Sequence, residues 1–186
     1  MSDGDPYLYP GTHVLRNKFG LLDASALDGL ERALVSDRIA EGVPEGDFDL
    51  DHLRAIHRHL FQDIYDWAGE IRTVEISKGG SRFQFRRYIA TGMADIHRRI
   101  VRWDYLRGLA PEAFAGRGAE ILGDVNHVHP FREGNGRAQS LYFSQLAARA
   151  GHPLDLTRLR PRAWIAASKA ANRGEYGPMA AELLRA

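Results

Sequence analysis

The amino-acid sequence predicts an all-α protein with one β-hairpin. Apolar residues recur every three or four positions through most of the chain, which indicates helices, whereas one segment alternates apolar and polar residues as paired strands do. The length of 186 residues is enough for one hydrophobic core and too short for two. We therefore expect a single domain over residues 1–186, with a helical part over about 1–70, the hairpin over about 71–86 and a helical core over about 87–186.

Two helices are predicted before the hairpin. The first spans residues 24–41 and has Asp23 as its expected N-cap. The second begins near Asp49 and ends at Gly69. Its apolar face, which repeats every three or four residues, consists of Leu50, Leu53, Ile56, Leu60, Ile64 and Trp67.

The hairpin is predicted from a change of period. Val74 and Ile76 alternate with polar neighbours before the turn-forming pair Gly79-Gly80, and a shorter alternation follows the two glycines up to Phe85. The helical period then resumes, and the predicted helices of the last part span 89–106, 111–127, 134–150, 161–172 and 178–184.

Composition excludes several functional classes. The 25 basic and 24 acidic residues nearly cancel, so no overall field favours a nucleic acid or an anionic membrane as a partner. The sequence contains no cysteine, which rules out disulfides, thiolate nucleophiles and cysteine zinc sites. The first ten residues lack the pattern of a signal peptide, and no segment has the run of about 18 apolar residues that a membrane span needs. We expect a cytoplasmic protein.

One stretch concentrates residues with chemical function, His129-Pro130-Phe131-Arg132-Glu133-Gly134-Asn135-Gly136-Arg137. Its proline and two glycines interrupt the helical pattern, which resumes after Gly136, so the polar groups gather where a helix begins. The N–H groups at a helix start attract anions, and glycine lets an anion come close to the main chain. We expect the N–H groups of Gly134, Asn135 and Gly136 to bind the phosphates of a nucleoside triphosphate.

The side chains of the same stretch complete the predicted site. Arg137, in the first helical turn, would reach back to the phosphates, and Glu133 would hold Mg²⁺ against them. His129 is the predicted general base, because an imidazole ordinarily titrates near neutral pH. Phe131 is expected to anchor the loop in the core.

The stretch resembles the Fic motif, in which a His, a Phe two residues later and an acidic residue precede Gly-Asn-Gly-Arg and then a second Arg. Every position matches except the second Arg, where this chain has Ser140. Other parts of the chain also resemble bacterial Fic proteins, namely residues 9–12, 15–18, 53–62, 67–74 and 171–176. The resemblance therefore covers most of the chain and implies a Fic-type helical bundle with one β-hairpin flap.

The resemblance also implies an activity, protein adenylylation, in which AMP moves from ATP onto a Ser, Thr or Tyr hydroxyl of a target protein. In the family the His is the base, the acidic residue binds Mg²⁺ and the Gly-Asn-Gly-Arg turn holds the α and β phosphates. These roles agree with those given above to His129, Glu133 and residues 134–137. The family's flap aligns the target by main-chain pairing, and its docking residues here would be Ile76, Ser77, Lys78, Gly79 and Gly80.

The same resemblance implies partners, because it suggests that this chain is the toxin of a toxin–antitoxin pair. Related toxins are inhibited by a glutamate on a helix that carries Ser or Thr, three residues and then Glu. No Ser or Thr here precedes a Glu by four positions, and Ser36 with Glu41 is one residue too long. We therefore expect a separate small antitoxin that supplies the inhibitory Glu helix, and the ATPase subunit of a type II topoisomerase is a candidate target. No nucleic-acid or membrane partner is expected.

Three further interpretations concern single positions. A Doc-like protein kinase would move the γ-phosphate, but that branch has Lys where this chain has Gly136. A degenerate Fic scaffold that only binds protein is suggested by Ser140, although the other motif residues are retained. His57 and His59 are assigned no chemistry, because side chains two positions apart on a helix diverge.

Overall fold

The computed structural model describes residues 5–78 and 81–186, and for Lys78 and Ser81 it describes the main chain alone. Within these residues the protein is helical, with one short pair of strands. The α-helices are α1 (Ala24–Ala40), α2 (Leu50–Phe61), α3 (Ile89–Arg102), α4 (Pro111–Val128), α5 (Asn135–Ala150), α6 (Pro161–Ala171) and α7 (Gly177–Leu183). The strands are β1 (Ser77–Lys78) and β2 (Ser81–Arg82), and 3-10 helices occur at Arg86–Tyr88, Asp104–Leu106 and Leu156–Arg158.

The predicted starts of α1 and α2 are confirmed by their caps. Asp23 Oδ1 accepts a hydrogen bond of 2.7 Å from the N–H of Ala26, and Asp49 Oδ1 accepts one of 2.8 Å from the N–H of His52. Both cap residues have extended backbone angles, as N-caps do. A local signal, an acidic residue before a periodic segment, was enough to place both helix starts.

The predicted end of α2 at Gly69 is wrong, because the helix stops at Phe61. The chain then continues in turns, in which the N–H of Ile64 bonds to the carbonyl of Phe61 at 3.0 Å. The carbonyl of Ile64 accepts a hydrogen bond of 2.9 Å from the N–H of Lys18. In a longer helix this carbonyl would accept the N–H four residues later, so the N-terminal segment replaces a helical hydrogen bond. Ile64 nevertheless stays buried, which explains why the apolar period continued past the helix.

The hairpin is much shorter than predicted. Ser77 pairs with Arg82 and Lys78 with Ser81, so the two strands bracket residues 79–80, which lie outside the described residues. One further main-chain bond, of 3.4 Å, joins the N–H of Phe83 to the carbonyl of Ile76. Beyond the strands, the carbonyls of Val74 and Gln84 accept hydrogen bonds from the side chain of Arg72. Those carbonyls bind a guanidinium, so the strand pairing does not reach Val74 or Gln84.

The later helices lie within two residues of their predicted bounds, except at the end of α3. The predicted helix over 89–106 divides into α3 and the 3-10 turn Asp104–Leu106, where three consecutive residues have φ values of 48°, 54° and 63°. Left-handed backbone cannot continue a right-handed helix, so the α-helix ends at Arg102.

Helix α4 is central to the packing and contacts α3, α5, α6 and α7. Two of its glycines permit this close approach. A Cβ at Gly118 would lie 2.7 Å from the ring of Phe143, and one at Gly123 would lie 2.9 Å from Ala171 and from Tyr176. Gly118 thereby brings α4 close to α5, and the loop 129–134 connects the two helices. Among the described residues, no helix has the length and apolarity needed to cross a bilayer.

Candidate active site

His129 lies where α4 ends, in a left-handed backbone conformation with φ 47°. This conformation is unusual outside glycine and directs the chain and the imidazole away from the helix axis. Nδ1 of the ring lies 3.0 Å from the carbonyl oxygen of Asn126. A carbonyl oxygen only accepts, so Nδ1 donates in this contact, and Nε2 is the nitrogen that takes up a proton in the neutral ring. The ring of Phe83, which follows β2, stacks on the imidazole at 3.7 Å between centroids.

The loop after His129 is anchored in the core through Phe131 and His57. Phe131 is fully buried, and its ring stacks on that of His57 at 3.8 Å. Nδ1 of His57 accepts the N–H of Gly69 at 2.9 Å, so its Nε2 donates to the carbonyl of Glu133 at 3.0 Å. Burial lowers the pKa of His57 to about 4, so the ring is neutral at neutral pH. Phe131 therefore has its predicted anchoring position, and His57 supports the loop by hydrogen bonding.

Asn135 closes the same loop with its side chain. The residue is 4% exposed, its Oδ1 accepts the N–H of Phe131 at 2.9 Å, and its Nδ2 donates to the carbonyl of Phe131 at 2.8 Å. The amide group is therefore occupied within the protein. Asn135 is the first residue of α5, where a main-chain N–H has no partner inside the helix. The predicted phosphate contact of Asn135 thus depends on its main chain and stays a prediction.

The two glycines of the motif differ in their surroundings. Gly134 has φ +80°, and a Cβ there would lie 2.5 Å from the ring of Phe61, so this glycine is required by packing and backbone conformation. Its N–H donates to the carboxylate of Glu133 at 3.1 Å, which differs from the expected outward orientation. Gly136 is exposed, and a Cβ placed there would meet no atom within 4 Å, so an anion can approach the main chain at this position.

Arg137 points away from the expected phosphate position. Its Nη2 lies 2.5 Å from Oε1 of Glu31 on α1, and its guanidinium lies 4.7 Å above the ring of Phe61. Glu31 is 6% exposed, and its other oxygen accepts the hydroxyl of Tyr65. A buried carboxylate needs a counter-charge, which accounts for the orientation of Arg137. The predicted phosphate contact therefore requires the guanidinium N–H groups that do not face Glu31, and it stays a prediction.

A cavity of about 800 Å³ lies beside the motif. It is lined by four predicted site residues, His129, Glu133, Asn135 and Gly136, and by Ile76 and Ser77 of the hairpin region. The described residues that line it do not include Gly134, Arg137 or Ser140. The hydroxyl of Ser140 instead donates to the carbonyl of Gly136 at 2.8 Å.

Another part of the lining of this cavity was not predicted from the sequence. Gln139 Nε2 donates to Asn126 Oδ1 at 3.2 Å, and Asn126 Nδ2 lies 3.4 Å from Asn172 Oδ1, which gives a row of side-chain amides along one wall. These residues come from α4, α5 and the end of α6, so only the assembled fold brings them together. Arg132 also lines the cavity, and its Nε donates to Asp5 at 2.7 Å.

Glu133 has the features expected of a Mg²⁺ ligand. Its carboxylate lines the cavity, and among the described residues only the N–H of Gly134 donates to it. The described residues contain no group of three or more His, Asp or Glu side chains placed to hold a metal. Mg²⁺ suits such a site, because it is commonly held by one or two carboxylates together with substrate phosphates and water. The residues present therefore fit the ion.

Known proteins resemble this chain in sequence. Residues 47–147 match the sequence model of the Fic/DOC family. A Sinorhizobium fredii protein named "Probable protein adenylyltransferase y4lH" is 40% identical over 182 residues, which cover 97% of this chain and 95% of that protein. The Salmonella typhimurium protein named "Probable protein adenylyltransferase Fic" is 38% identical and covers 95% of this chain and 89% of its own length.

Solved structures agree with the sequence relatives. The Bartonella tribocorum protein BepC with bound AMPPNP has a TM-score of 0.86 and 26% identity, over 96% of this chain and 94% of that chain. A Bartonella quintana N-terminal Fic domain with bound ADP has a TM-score of 0.88 and 26% identity, over 96% and 92%. This protein is accordingly an enzyme of the nucleotidyltransferase class, a protein adenylyltransferase. The family match and these relatives show that the chain belongs to the Fic/DOC family.

Proposed function

We propose that this chain moves AMP from ATP onto a Ser, Thr or Tyr hydroxyl of a target protein, as the toxin of a toxin–antitoxin pair. One observation carries the proposal: His129, Glu133 and the exposed N-terminus of α5 line one cavity, next to the hairpin. A base, a magnesium ligand and an anion site are thus within reach of one triphosphate. The nucleotides bound in the structures of BepC and of the Bartonella quintana domain support a nucleotide in this cavity.

The phosphates would bind at the start of α5. Gly136 leaves its main chain open to the cavity, and the positive end of the helix dipole favours negative charge there. Mg²⁺, held by Glu133, would neutralise charge on the phosphates during transfer. Arg137 would add a charged contact through the N–H groups that do not face Glu31.

The reaction is a displacement at the α-phosphorus. His129 Nε2 takes the proton of the target hydroxyl as the hydroxyl oxygen bonds to the α-phosphorus. The bond between the α-phosphorus and the oxygen bridging to the β-phosphorus breaks, and pyrophosphate leaves with that electron pair. Nδ1, hydrogen-bonded to the carbonyl of Asn126, fixes the ring orientation and stabilises the imidazolium that forms.

The hairpin is proposed as the flap that positions the target segment. Ile76 and Ser77 line the cavity, so a strand laid along β1 would bring its side chains toward His129. Lys78, Gly79 and Gly80 would lie at the tip. Deletion of these three residues is expected to stop transfer to a target protein while slow self-modification continues, because the flap positions the acceptor and not the triphosphate. Equal loss of both activities would show that the hairpin is structural.

The proposed partners are the ATPase subunit of a type II topoisomerase as target and a small antitoxin that supplies an inhibitory Glu helix. The basis for the antitoxin is the sequence itself, which has no Ser or Thr four positions before a Glu. Co-expression with a neighbouring small open reading frame, followed by co-purification, tests this partner. A chain that is active and harmless on its own would contradict the toxin role.

Separate labelling of two ATP phosphates tests the activity. The protein is incubated with cell lysate and ATP labelled at either the α or the γ phosphate, and labelled proteins are separated on a gel. Label retained from the α-phosphate only is the expected result. Label retained from the γ-phosphate would show a Doc-like kinase, and no label from either would support the degenerate scaffold. His129→Ala protein is the matched control for labelling that does not depend on the site.

A further inference from the structure

Arg72 is a fully buried cation at the base of the hairpin. None of its side chain is exposed, and the only described carboxylate beside it belongs to Glu75, 3.3 Å from Nη1 and itself half exposed. Burying a charge costs several kcal/mol unless hydrogen bonds replace its hydration. Such a residue is retained in a core only where its hydrogen bonds have a structural or functional use.

The acceptors of Arg72 belong to three separate segments. Its Nε donates to the carbonyl of His129 at 2.9 Å, its Nη1 to the carbonyl of Val74 at 2.8 Å, and its Nη2 to the carbonyl of Gln84. Val74 lies just before the hairpin strands and Gln84 just after them. One planar guanidinium therefore joins both ends of the hairpin to the residue that carries the predicted base.

Main-chain contacts strengthen the same junction. The N–H of Arg72 donates to the carbonyl of Pro130 at 2.9 Å, and the N–H of Gln84 donates to the carbonyl of His127 at 3.0 Å. Between these contacts, the ring of Phe83 stacks on His129 at 3.7 Å. The position of the hairpin and the position of the imidazole are thus set by one group of bonds.

We propose that Arg72 is a positioning residue for AMP transfer, which fixes the hairpin at one distance from His129 so that a hydroxyl docked on the hairpin meets the base. The inference rests on the proposed function. Lysine cannot replace the planar fork that reaches three carbonyls in different directions. Misplacement of reacting groups by about 1 Å costs on the order of 100-fold in rate. The nucleotide site at the start of α5 makes none of these contacts.

The test compares Arg72→Lys with the wild type and with Arg38→Lys. Arg38 also bonds to its partner with two nitrogens, at 2.6 and 2.7 Å from the carboxylate of Asp63, but it contacts neither the hairpin nor the motif loop. The measurements are melting temperature, ATP affinity by calorimetry, and kcat and KM with a purified type II topoisomerase ATPase subunit as the probe. Carbon–proton NMR of the histidine rings, with His129→Ala for assignment, reports the stacking of Phe83 on His129.

Arg72→Lys is expected to lower kcat at least about tenfold, with ATP affinity within about threefold of wild type. The His129 ring protons are expected to lose the shielding that a stacked ring gives. Arg38→Lys is expected to lower the melting temperature alone. The proposal is overturned if Arg72→Lys also changes only the melting temperature, with unchanged kcat and His129 resonances.

Two further outcomes keep the tests of Arg72 and of the activity separate. If Arg72→Lys does not fold, Arg72→Gln takes its place, because a side-chain amide cannot reach the carbonyls of His129, Val74 and Gln84 together. An unchanged kcat in that folded variant also overturns the proposal. If the wild type does not modify the topoisomerase subunit, that target is wrong, and the His129 resonance in Arg72→Lys then decides whether Arg72 sets the geometry.

Discussion

Replacement of Asn135 by Ala is expected to destabilise the protein before it weakens nucleotide binding. The side chain makes two buried hydrogen bonds to the main chain of Phe131, at 2.9 and 2.8 Å. Each is worth about 1 kcal/mol, and a buried group left without a partner costs about 1–3 kcal/mol. The water that can enter the truncated site recovers part of this loss. We therefore expect the free energy of unfolding to fall by about 2–4 kcal/mol.

The assay is a pair of measurements on each variant, thermal unfolding and ATP titration by calorimetry. For a chain of this size a loss of about 3 kcal/mol lowers the melting temperature by about 6–12 °C. ATP affinity of the folded protein should stay within about threefold of wild type, because a main-chain N–H remains at position 135. Ser140→Ala is the control on the same helix. Its hydroxyl bonds to the carbonyl of Gly136, and its loss should change stability by no more than about 0.5 kcal/mol.

A specific result would refute this reasoning. If Asn135→Ala melts like the wild type and binds ATP at least about tenfold more weakly, the amide contacts the nucleotide and not Phe131. Asn135→Asp adds a finer test, because its carboxylate can still accept the N–H of Phe131 but presents an oxygen to the carbonyl of Phe131. Loss of the donor alone should therefore destabilise the protein. An Asp variant as stable as the wild type would show that this bond is unimportant.

Three other predictions concern the remaining parts of the site. His129→Ala should lower AMP transfer at least about 100-fold with ATP binding nearly intact, and transfer at the wild-type rate would exclude His129 as the base. His57 has a pKa of about 4 in the folded protein against its usual 6.5. The stability due to its neutral ring is therefore present above pH 6.5 and is lost as the pH falls toward 4, by about 3 kcal/mol in total. Urea unfolding of His57→Gln should show less of this acid destabilisation, and a pH profile identical to that of the wild type would contradict the prediction. Ser140→Arg should tighten ATP binding about tenfold by calorimetry, since one added charged hydrogen bond is worth about 1.5 kcal/mol, and unchanged affinity would mean that position 140 does not reach the phosphates.

The sequence could predict the helices because their signals are local. An acidic cap before a periodic segment placed the starts of α1 and α2, and Gly134 before the periodic segment that ends at Ala150 placed the start of α5 within one residue. The end of α2 depends on a distant partner. The N–H of Lys18 donates to the carbonyl of Ile64, and no sequence pattern within residues 50–69 predicts that contact.

The predicted length of the hairpin was wrong for the same physical reason. Its alternation of apolar and polar residues is real, but the carbonyls of Val74 and Gln84 face a buried guanidinium. A single arginine in a sequence rich in arginine gives no sign that it will be buried. Within the site, the motif predicts candidate residues, and their roles stay predictions. The surroundings of Gly134, Glu133 and Arg137 depend on three residues of other helices, Phe61, His57 and Glu31, which the motif does not contain.

The motif therefore contains two groups of residues with different physical roles. His129, Glu133 and Gly136 line the cavity. Gly134 packs against Phe61, and Asn135, which also borders the cavity, holds the loop with its side-chain amide. His129 has a left-handed backbone, which costs about 1–2 kcal/mol outside glycine, so the imidazole keeps its place only while the rest of the loop is fixed. A substitution such as Gly134→Ala would abolish transfer by moving that loop, without touching a nucleotide. Loss of activity in a variant therefore does not show that the replaced motif residue contacts the nucleotide. That conclusion needs the stability and the ATP affinity of the same variant.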